Sequence, residues 1–269
     1  MSAGDIKATA IARLGPRELA LLERFQRSRR AVVRLDRDPH PFEALRPNAL
    51  RLVLKRLADG GWLRRLERGA YLVTGPARIA EHSQLAIVAD WLEGEQYVVT
   101  GLCALAHWDL TGQSPPTVDI LLARRKPNVQ EAHTLFRFVY VPQAELPPAR
   151  AVRVPGARAP VLVAEPEHAL IDVVAGRYAT TITVAGEALR RGLRDRVIRR
   201  RHLIRALEHA PAAAARRLGW LAERQKDPLA EKLRTLVGSG GYVPLDPRRA
   251  VGRARRDRTW RVLENIDGD

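Results

Sequence analysis

The stretch that decides the fold is NALRLVLKRLADGGWLRRLERGAYLVTG, residues 48–75. Its first part carries apolar residues at helical spacing and stops at Gly60-Gly61. Residues 62–66 then form a basic strand-like run, a tight turn follows, and residues 70–73 return as a second run. A basic helix followed by a basic hairpin is the arrangement of a winged helix-turn-helix, which we therefore predict here.

The predicted helix has two faces of different chemistry. One is apolar and would pack inward, and it comprises Leu50, Val53, Leu54 and Leu57. The other is polar, so Asn48, Arg51 and Lys55 would face outward together. Asn and Arg side chains match the major-groove edges of adenine and guanine, whereas Lys binds a guanine or a phosphate. The spacing predicts that this face reads DNA bases.

The hairpin would hold the DNA backbone. Its arginines, Arg64, Arg65 and Arg68, lie where cations contact phosphates beside the groove. With Arg56 of the helix they complete the predicted DNA-binding set. The alternative that stays open is a solvated helix and hairpin in an arginine-rich protein.

The charge of the chain is extreme and unevenly distributed. The formal net charge is +16 and the isoelectric point is near 11.1. Counting Lys and Arg against Asp and Glu gives +8 for residues 1–75 (16 against 8), −3 for residues 76–189 (9 against 12) and +11 for residues 190–269 (21 against 10). An arginine-rich composition alone would spread the charge evenly. Two basic regions around an acidic middle indicate a polyanionic partner, with double-stranded DNA as the first candidate.

The length allows two domains, because 46% of the 269 residues are apolar. In residues 1–75, an amphipathic helix would begin at Pro16, and a short helix around residues 42–45 would precede the basic helix. Several strand-like runs follow in residues 97–163, and helices continue from there. We predict an α+β protein, with a winged helix-turn-helix over residues 1–75 and a larger mixed α/β domain over residues 76–269.

Composition also argues against several classes of protein. The single cysteine, Cys103, cannot form an internal disulfide, and its apolar neighbours predict a buried thiol. No cysteine or histidine spacing matches a zinc site, so neither a metal nor a cofactor is expected. No stretch approaches the roughly 18 apolar residues of a spanning helix, and the first residues do not resemble a signal peptide. We expect a cytoplasmic protein without a membrane partner.

An enzymatic function has less support. Titratable residues such as His107 and His168 are present, but no nucleophile elbow, P-loop or dinucleotide fingerprint accompanies them. The best rival is a nuclease with Asp119 as a metal ligand. Its lysine would have to be Lys126, which follows two arginines at an unsuitable strand spacing. We therefore expect no enzymatic activity.

Several segments together carry a resemblance to a known family. They are Arg68-Gly69-Ala70-Tyr71, Val98-Val99-Thr100-Gly101 running into Ala104-Leu105-Ala106-His107, AEPEHALID at residues 164–172, ARRLGWL at residues 215–221, and YVPLDP at residues 242–247 with Trp260-Arg261-Val262 and Asn265. In this order they resemble the AbiEi family of antitoxins, whose members carry an Ala-Leu helix after a strand, an A-x-P-E-x-A-L-x-D helix start and an RRLG helix. Where the family has serine before Ala-Leu, this chain has Cys103.

The resemblance implies a transcriptional repressor that autoregulates a toxin–antitoxin operon used in phage defence. Family members bind inverted repeats in their promoters through an N-terminal winged helix and counteract a nucleotidyltransferase toxin. The implied partners are promoter DNA, such a toxin, and a second copy of the chain on the DNA. For Arg216 and Arg217, a solvated helix face and a contact with nucleic acid or toxin both stay open. The alternative function is a stand-alone winged-helix regulator without a toxin partner.

Overall fold

The computed structural model describes residues 14–37, 45–74, 82–113, 115–176 and 181–266. The predicted domain boundary at residue 75 and most of the predicted short helix around residues 42–45 lie outside these ranges. The chain divides into two compact units. The first comprises Met1–Glu95 and Ala151–Leu162, and the second comprises Gln96–Arg150 and Val163–Asp269. Both contain helices and strands, so the fold is mixed.

The first unit consists of short helices around a small sheet. Its elements are α1 (Pro16–Ser28), β1 (Val32–Arg34), α2 (Pro47–Asp59), β2 (Leu63–Glu67), β3 (Ala70–Val73) and α3 (Gln84–Trp91). The sheet has the order β1–β3–β2, and both strand pairs are antiparallel. Buried side chains from two helices and the sheet form one core, namely Leu21, Leu22, Phe25, Val33, Val53, Leu54, Leu57, Trp62, Leu63 and Val73.

Local sequence explains where α2 begins and ends. Pro47 occupies the first turn, where its missing amide and fixed φ are tolerated. Of the predicted inner stripe, Val53, Leu54 and Leu57 are buried, and Leu50 is half-buried against the same core. Beyond the helix, Gly61 adopts a φ of +72°, a left-handed conformation that glycine reaches without strain. The chain therefore turns sharply from α2 into the hairpin.

The first unit includes a segment from far along the chain. The buried carboxylate of Asp90 in α3 accepts a hydrogen bond from the Ala31 amide at 2.6 Å and another from the Arg158 amide at 3.0 Å. Burial raises the pKa of Asp90, and these hydrogen bonds oppose the rise. Asp90 thus joins the start of β1 to residues 151–162, which lie within the range predicted for the second domain.

The remaining elements lie in the second unit, except that two of the strands have part of their residues in the first. The strands are β4 (Tyr97–Thr100), β5 (Thr117–Leu122), β6 (Val129–Glu131), β7 (Thr134–Tyr140), β8 (Ala149–Val152), β9 (Val161–Ala164), β10 (Val243–Pro244), β11 (Arg255–Asp257) and β12 (Val262–Glu264). The helices are α4 (Gly101–His107), α5 (Pro166–Val174), α6 (Ile182–Arg194), α7 (Arg200–Leu207), α8 (Ala212–Arg224) and α9 (Leu229–Leu233), with 3-10 turns at Gln143–Glu145 and Arg234–Leu236. A six-stranded sheet has the order β6–β7–β5–β4–β9–β8, and a smaller one has the order β10–β12–β11.

Helix α8 crosses the core of the second unit at close range to Trp260. A Cβ atom added to Gly219 would lie 1.9 Å from a ring carbon of that indole. Trp260 is fully buried, and its Nε1 donates a hydrogen bond to Glu223 at 2.8 Å. Only glycine allows this contact, so the glycine of the RRLG segment is required for the packing of α8 against Trp260.

Cys103 lies in α4 and is buried, as predicted. Burial raises the pKa of its thiol to about 12, with a smaller contribution from the charge of Asp119. The thiolate, which is the reactive form, is therefore scarce at neutral pH. None of the helices in the described part of the chain is long and apolar enough to cross a membrane.

Candidate nucleic-acid interface

The outer face of α2 carries polar side chains in solvent. Asn48, Arg51 and Lys55 are all exposed, as the helical spacing predicted. Neither Arg51 nor Lys55 forms an ion pair or hydrogen bond with another described residue. These cations are therefore available to a ligand.

The hairpin presents consecutive arginines. Arg64 and Arg65 in β2 are both exposed, although neighbours in a regular strand point to opposite faces. The pairing of β2 with β3 shifts after Arg65, where Leu66 is an extra residue that returns to the core. This β-bulge changes the alternation of the strand. At the tip Gly69 has a φ of +81°, and Arg68 beside it is exposed.

A cleft of about 820 Å³ lies between α2 and the hairpin. Its basic lining residues come from both elements: Arg51, Lys55, Arg65 and Arg68. Apolar side chains, including Leu50 and Leu54, form part of its wall. The structure thus brings four of the seven predicted DNA-binding residues to one cavity.

One carboxylate also lines the cleft, and an arginine neutralises it. Asp36 accepts two hydrogen bonds from the guanidinium of Arg34, at 3.0 and 2.9 Å. These hydrogen bonds lower the pKa of Asp36, so it stays ionised and paired. Because Asp36 is already paired with Arg34, it does not offset the charge of the four cations that line the cleft.

The turn end of the hairpin is fixed by contacts to α3 and to the chain around β1. Glu67, at the end of β2, accepts a hydrogen bond from Trp91 Nε1 at 2.7 Å. Arg34 lies 3.7 Å from the same carboxylate and donates to the Trp91 carbonyl oxygen at 3.0 Å. At the tip, the Leu35 amide donates to the Gly69 carbonyl at 2.8 Å. These contacts fix the turn end of the hairpin within the first unit before any ligand binds.

Three predicted residues do not line the cleft. Arg56 points to α1, where it donates to the buried carboxylate of Glu18 at 3.1 Å. The pKa of Glu18 is lowered, chiefly by hydrogen bonding to its own backbone and then by Arg56. Asn48 and Arg64 are exposed outside the cleft. Arg56 therefore has a structural partner that the helical pattern did not reveal.

Sequence reasoning missed two residues of this surface. Tyr71 lines the cleft with its side chain half-buried, although alternation in β3 indicated only a strand position. Leu52 is 50% exposed on α2, an unusual setting for a large apolar side chain. A leucine outside the inner stripe was the signal for it. A phenol is a common phosphate donor, and apolar groups contact the thymine methyl in the major groove.

The side chains of Arg216 and Arg217 do not lie on the surface of the protein. Each is only 4% exposed. Arg216 donates to the carbonyl oxygens of Val237, at 2.8 Å, and of Gly241. Arg217 donates to the carbonyls of Pro244 at 2.9 Å and Val174 at 2.6 Å.

The structure therefore corrects both expectations for this pair, the solvated face and the partner contact. The two guanidiniums satisfy backbone acceptors of segments distant in sequence. Burial lowers the pKa of Arg217, but an arginine stays protonated well above neutral pH.

The residues of the nuclease alternative have other contacts. Asp119 is buried and accepts a hydrogen bond from Arg137 Nε at 2.5 Å. Lys126 lies 5.2 Å above the Phe138 ring. Within the described ranges, no group of three or more His, Cys, Asp and Glu side chains is placed to hold a metal ion. The placement of Asp119 and Lys126 gives that alternative no support.

Comparison with known proteins finds similarity to a solved structure. No family model matches the chain, and no curated protein sequence matches it significantly. Among solved structures, the crystal structure of the RV2827C protein from Mycobacterium tuberculosis is similar over 93% of this chain and 92% of that one. The TM-score is 0.65 and the sequence identity is 16%. At this identity the likeness shows a shared fold alone.

Proposed function

We propose that the chain is a DNA-binding transcriptional repressor whose first unit acts as a winged helix-turn-helix. In this proposal α2 enters the major groove, and the hairpin of β2 and β3 is the wing on the adjacent phosphates. The observation that carries it is the cleft in which Arg51 and Lys55 of α2 meet Arg65 and Arg68 of the hairpin.

The chemistry of the cleft favours a polyanion over a small apolar ligand. Of its cations, Arg51, Lys55 and Arg68 have no ion-pair partner among the described residues. Bringing such charges together costs Coulomb energy, which an approaching row of phosphates would offset while releasing counterions. Asn48 and Arg51 add side chains that hydrogen-bond base edges. The first unit thus has side chains that can contact phosphates and side chains that can contact bases.

The repressor would also act as an antitoxin against a nucleotidyltransferase, in line with the resemblance to the AbiEi family. The support is the order of its segments along the chain. Residues 215–221, however, owe their pattern to packing in this structure, because Gly219 contacts Trp260 and both arginines are buried. A stand-alone regulator therefore remains the second candidate.

Binding to the DNA upstream of the chain's own gene tests the proposal. We expect the full chain to bind that duplex at least about 10³-fold more tightly than a scrambled duplex at 0.15 M salt, measured by fluorescence anisotropy. Expression of the chain should also repress a reporter under this upstream DNA. Equal affinity for both duplexes, with no repression, would contradict sequence-specific regulation.

The antitoxin part needs a separate experiment. If a nucleotidyltransferase gene lies next to this one, its expression alone should arrest growth, and co-expression of the chain should restore it. Repression without rescue would favour the stand-alone regulator. A variant with weakened operator binding, Arg51→Ala, should still rescue growth if the antitoxin activity is independent of DNA binding.

A further inference from the structure

A second basic cleft lies in the first unit, and none of its lining residues belongs to α2 or the hairpin. Its volume is about 410 Å³, and it is lined by Arg29 and by residues 153–159. Three of the lining side chains are arginines, Arg29, Arg153 and Arg158. Among the described residues that line it, none is acidic.

These arginines have no side-chain partner among the described residues. Arg30, next in the chain to Arg29, is buried and pairs with Glu93 at 2.8 Å. In contrast, Arg29, Arg153 and Arg158 are exposed, and their guanidiniums form no hydrogen bond or ion pair with a described residue. The cleft therefore gathers cationic donors whose charge nothing in the described part of the chain neutralises.

A tight turn lies between two of the arginines that line the cleft. The Ala157 amide donates to the Val154 carbonyl at 3.3 Å, with Pro155 and Gly156 between them. Gly156 has a φ of +81°, and a Pro-Gly pair with this geometry is typical of a type II turn. Arg153 and Arg158 flank the turn, so it brings them together although they are five positions apart.

The turn is also anchored to the proposed DNA-binding sheet. The Arg158 amide donates to Asp90, and the same carboxylate accepts from the Ala31 amide at the start of β1. Strand β1 pairs with β3 of the hairpin, with Val32 opposite Leu72. The backbone of the cleft thus has a fixed position within the first unit.

We propose that this cleft binds a phosphate group. Guanidinium groups hydrogen-bond phosphate oxygens in pairs, and three of them around one cavity supply both the charge and the donors. The phosphate would come from the DNA backbone, which extends the proposed function, or from a small phosphorylated ligand. In either case the site uses a segment that lies some 80 residues after the hairpin in sequence.

The test compares the full chain with Arg153→Gln/Arg158→Gln, which keeps the turn and its backbone hydrogen bonds. The matched control is Arg253→Gln/Arg258→Gln, which removes the same charge from exposed arginines outside the cleft. All three are titrated with the upstream duplex and a scrambled duplex by anisotropy, and with pyrophosphate by calorimetry in chloride of matched ionic strength.

If the cleft holds DNA phosphates, the cleft variant should bind both duplexes about eightfold more weakly per lost contact at 0.1 M salt, with a shallower salt dependence. The control should lose less than about twofold. If the cleft holds a small ligand, DNA binding is unchanged, whereas pyrophosphate binds the wild type and the control but not the cleft variant.

Loss of neither activity in the cleft variant would overturn the proposal. The pyrophosphate titration also separates it from the proposed function. A wild type that binds pyrophosphate through this cleft but binds no DNA would refute the repressor and leave the phosphate site standing.

Discussion

Arginine side chains have opposite surroundings in the two units. Arg51 and Arg68 are the examples from the first unit, and Arg216 and Arg217 are those from the second. The first pair is exposed, lines a cleft and lacks a partner among the described residues. The second pair is buried and donates to backbone carbonyls. An arginine in this basic chain therefore stabilises the fold or is available to a ligand according to what surrounds it, and net charge alone does not distinguish the two.

The largest effect on the fold should follow from removing a buried arginine. Arg217→Ala leaves the carbonyls of Pro244 and Val174 without their donor, so we expect a loss of about 2–6 kcal/mol in the free energy of unfolding, or about 1–3 kcal/mol for each carbonyl. Urea denaturation measures it. As a control, Arg201→Ala on the exposed face of α7 should change stability by less than about 0.5 kcal/mol. Equal stability of both variants would contradict the structural role of Arg217.

The hairpin should show the reverse behaviour. Replacing Arg64, Arg65 and Arg68 together by alanine should leave the unfolding transition nearly unchanged and weaken binding to every duplex alike. The slope of log K against log salt should become shallower by up to about 0.9 per lost phosphate contact. Anisotropy at several salt concentrations measures this slope, and an unchanged slope would remove the hairpin from the interface.

Arg56 lies between the two groups, because it is exposed but has a partner within the protein, and its substitution should have the smallest effect. Its side chain is 62% exposed but pairs with the buried carboxylate of Glu18. We expect Arg56→Ala to cost about 0.2–1 kcal/mol of stability and to affect DNA binding less than Arg51→Ala. A loss of affinity as large as that of Arg51→Ala, measured on the same duplex, would show that Arg56 leaves Glu18 to contact DNA.

Part of this contrast was accessible from the sequence. The spacing of Val53, Leu54 and Leu57 fixed the inner face of α2, and it therefore placed Arg51 and Lys55 outside. The turn composition around Gly69 predicted the hairpin. Both inferences use local periodicity, which requires no knowledge of distant contacts.

The rest depended on long-range contacts. Periodicity could not show that Arg217 reaches the carbonyls of Val174 and Pro244, which lie 43 and 27 positions away. Nor could it show that residues 151–162 join the first unit through Asp90. The interface was predicted as a set of residues on single elements, whereas the cleft that unites four of them arises from tertiary packing.

The central claim is that α2 reads base sequence while the hairpin contacts phosphate. Its most direct test is a comparison of Arg51→Ala and Arg68→Ala on the upstream duplex and on a scrambled duplex at one salt concentration. We predict that Arg51→Ala loses about 1–3 kcal/mol on the upstream duplex and much less on the scrambled one, whereas Arg68→Ala weakens both equally. An equal loss on both duplexes for Arg51→Ala would contradict base reading by α2.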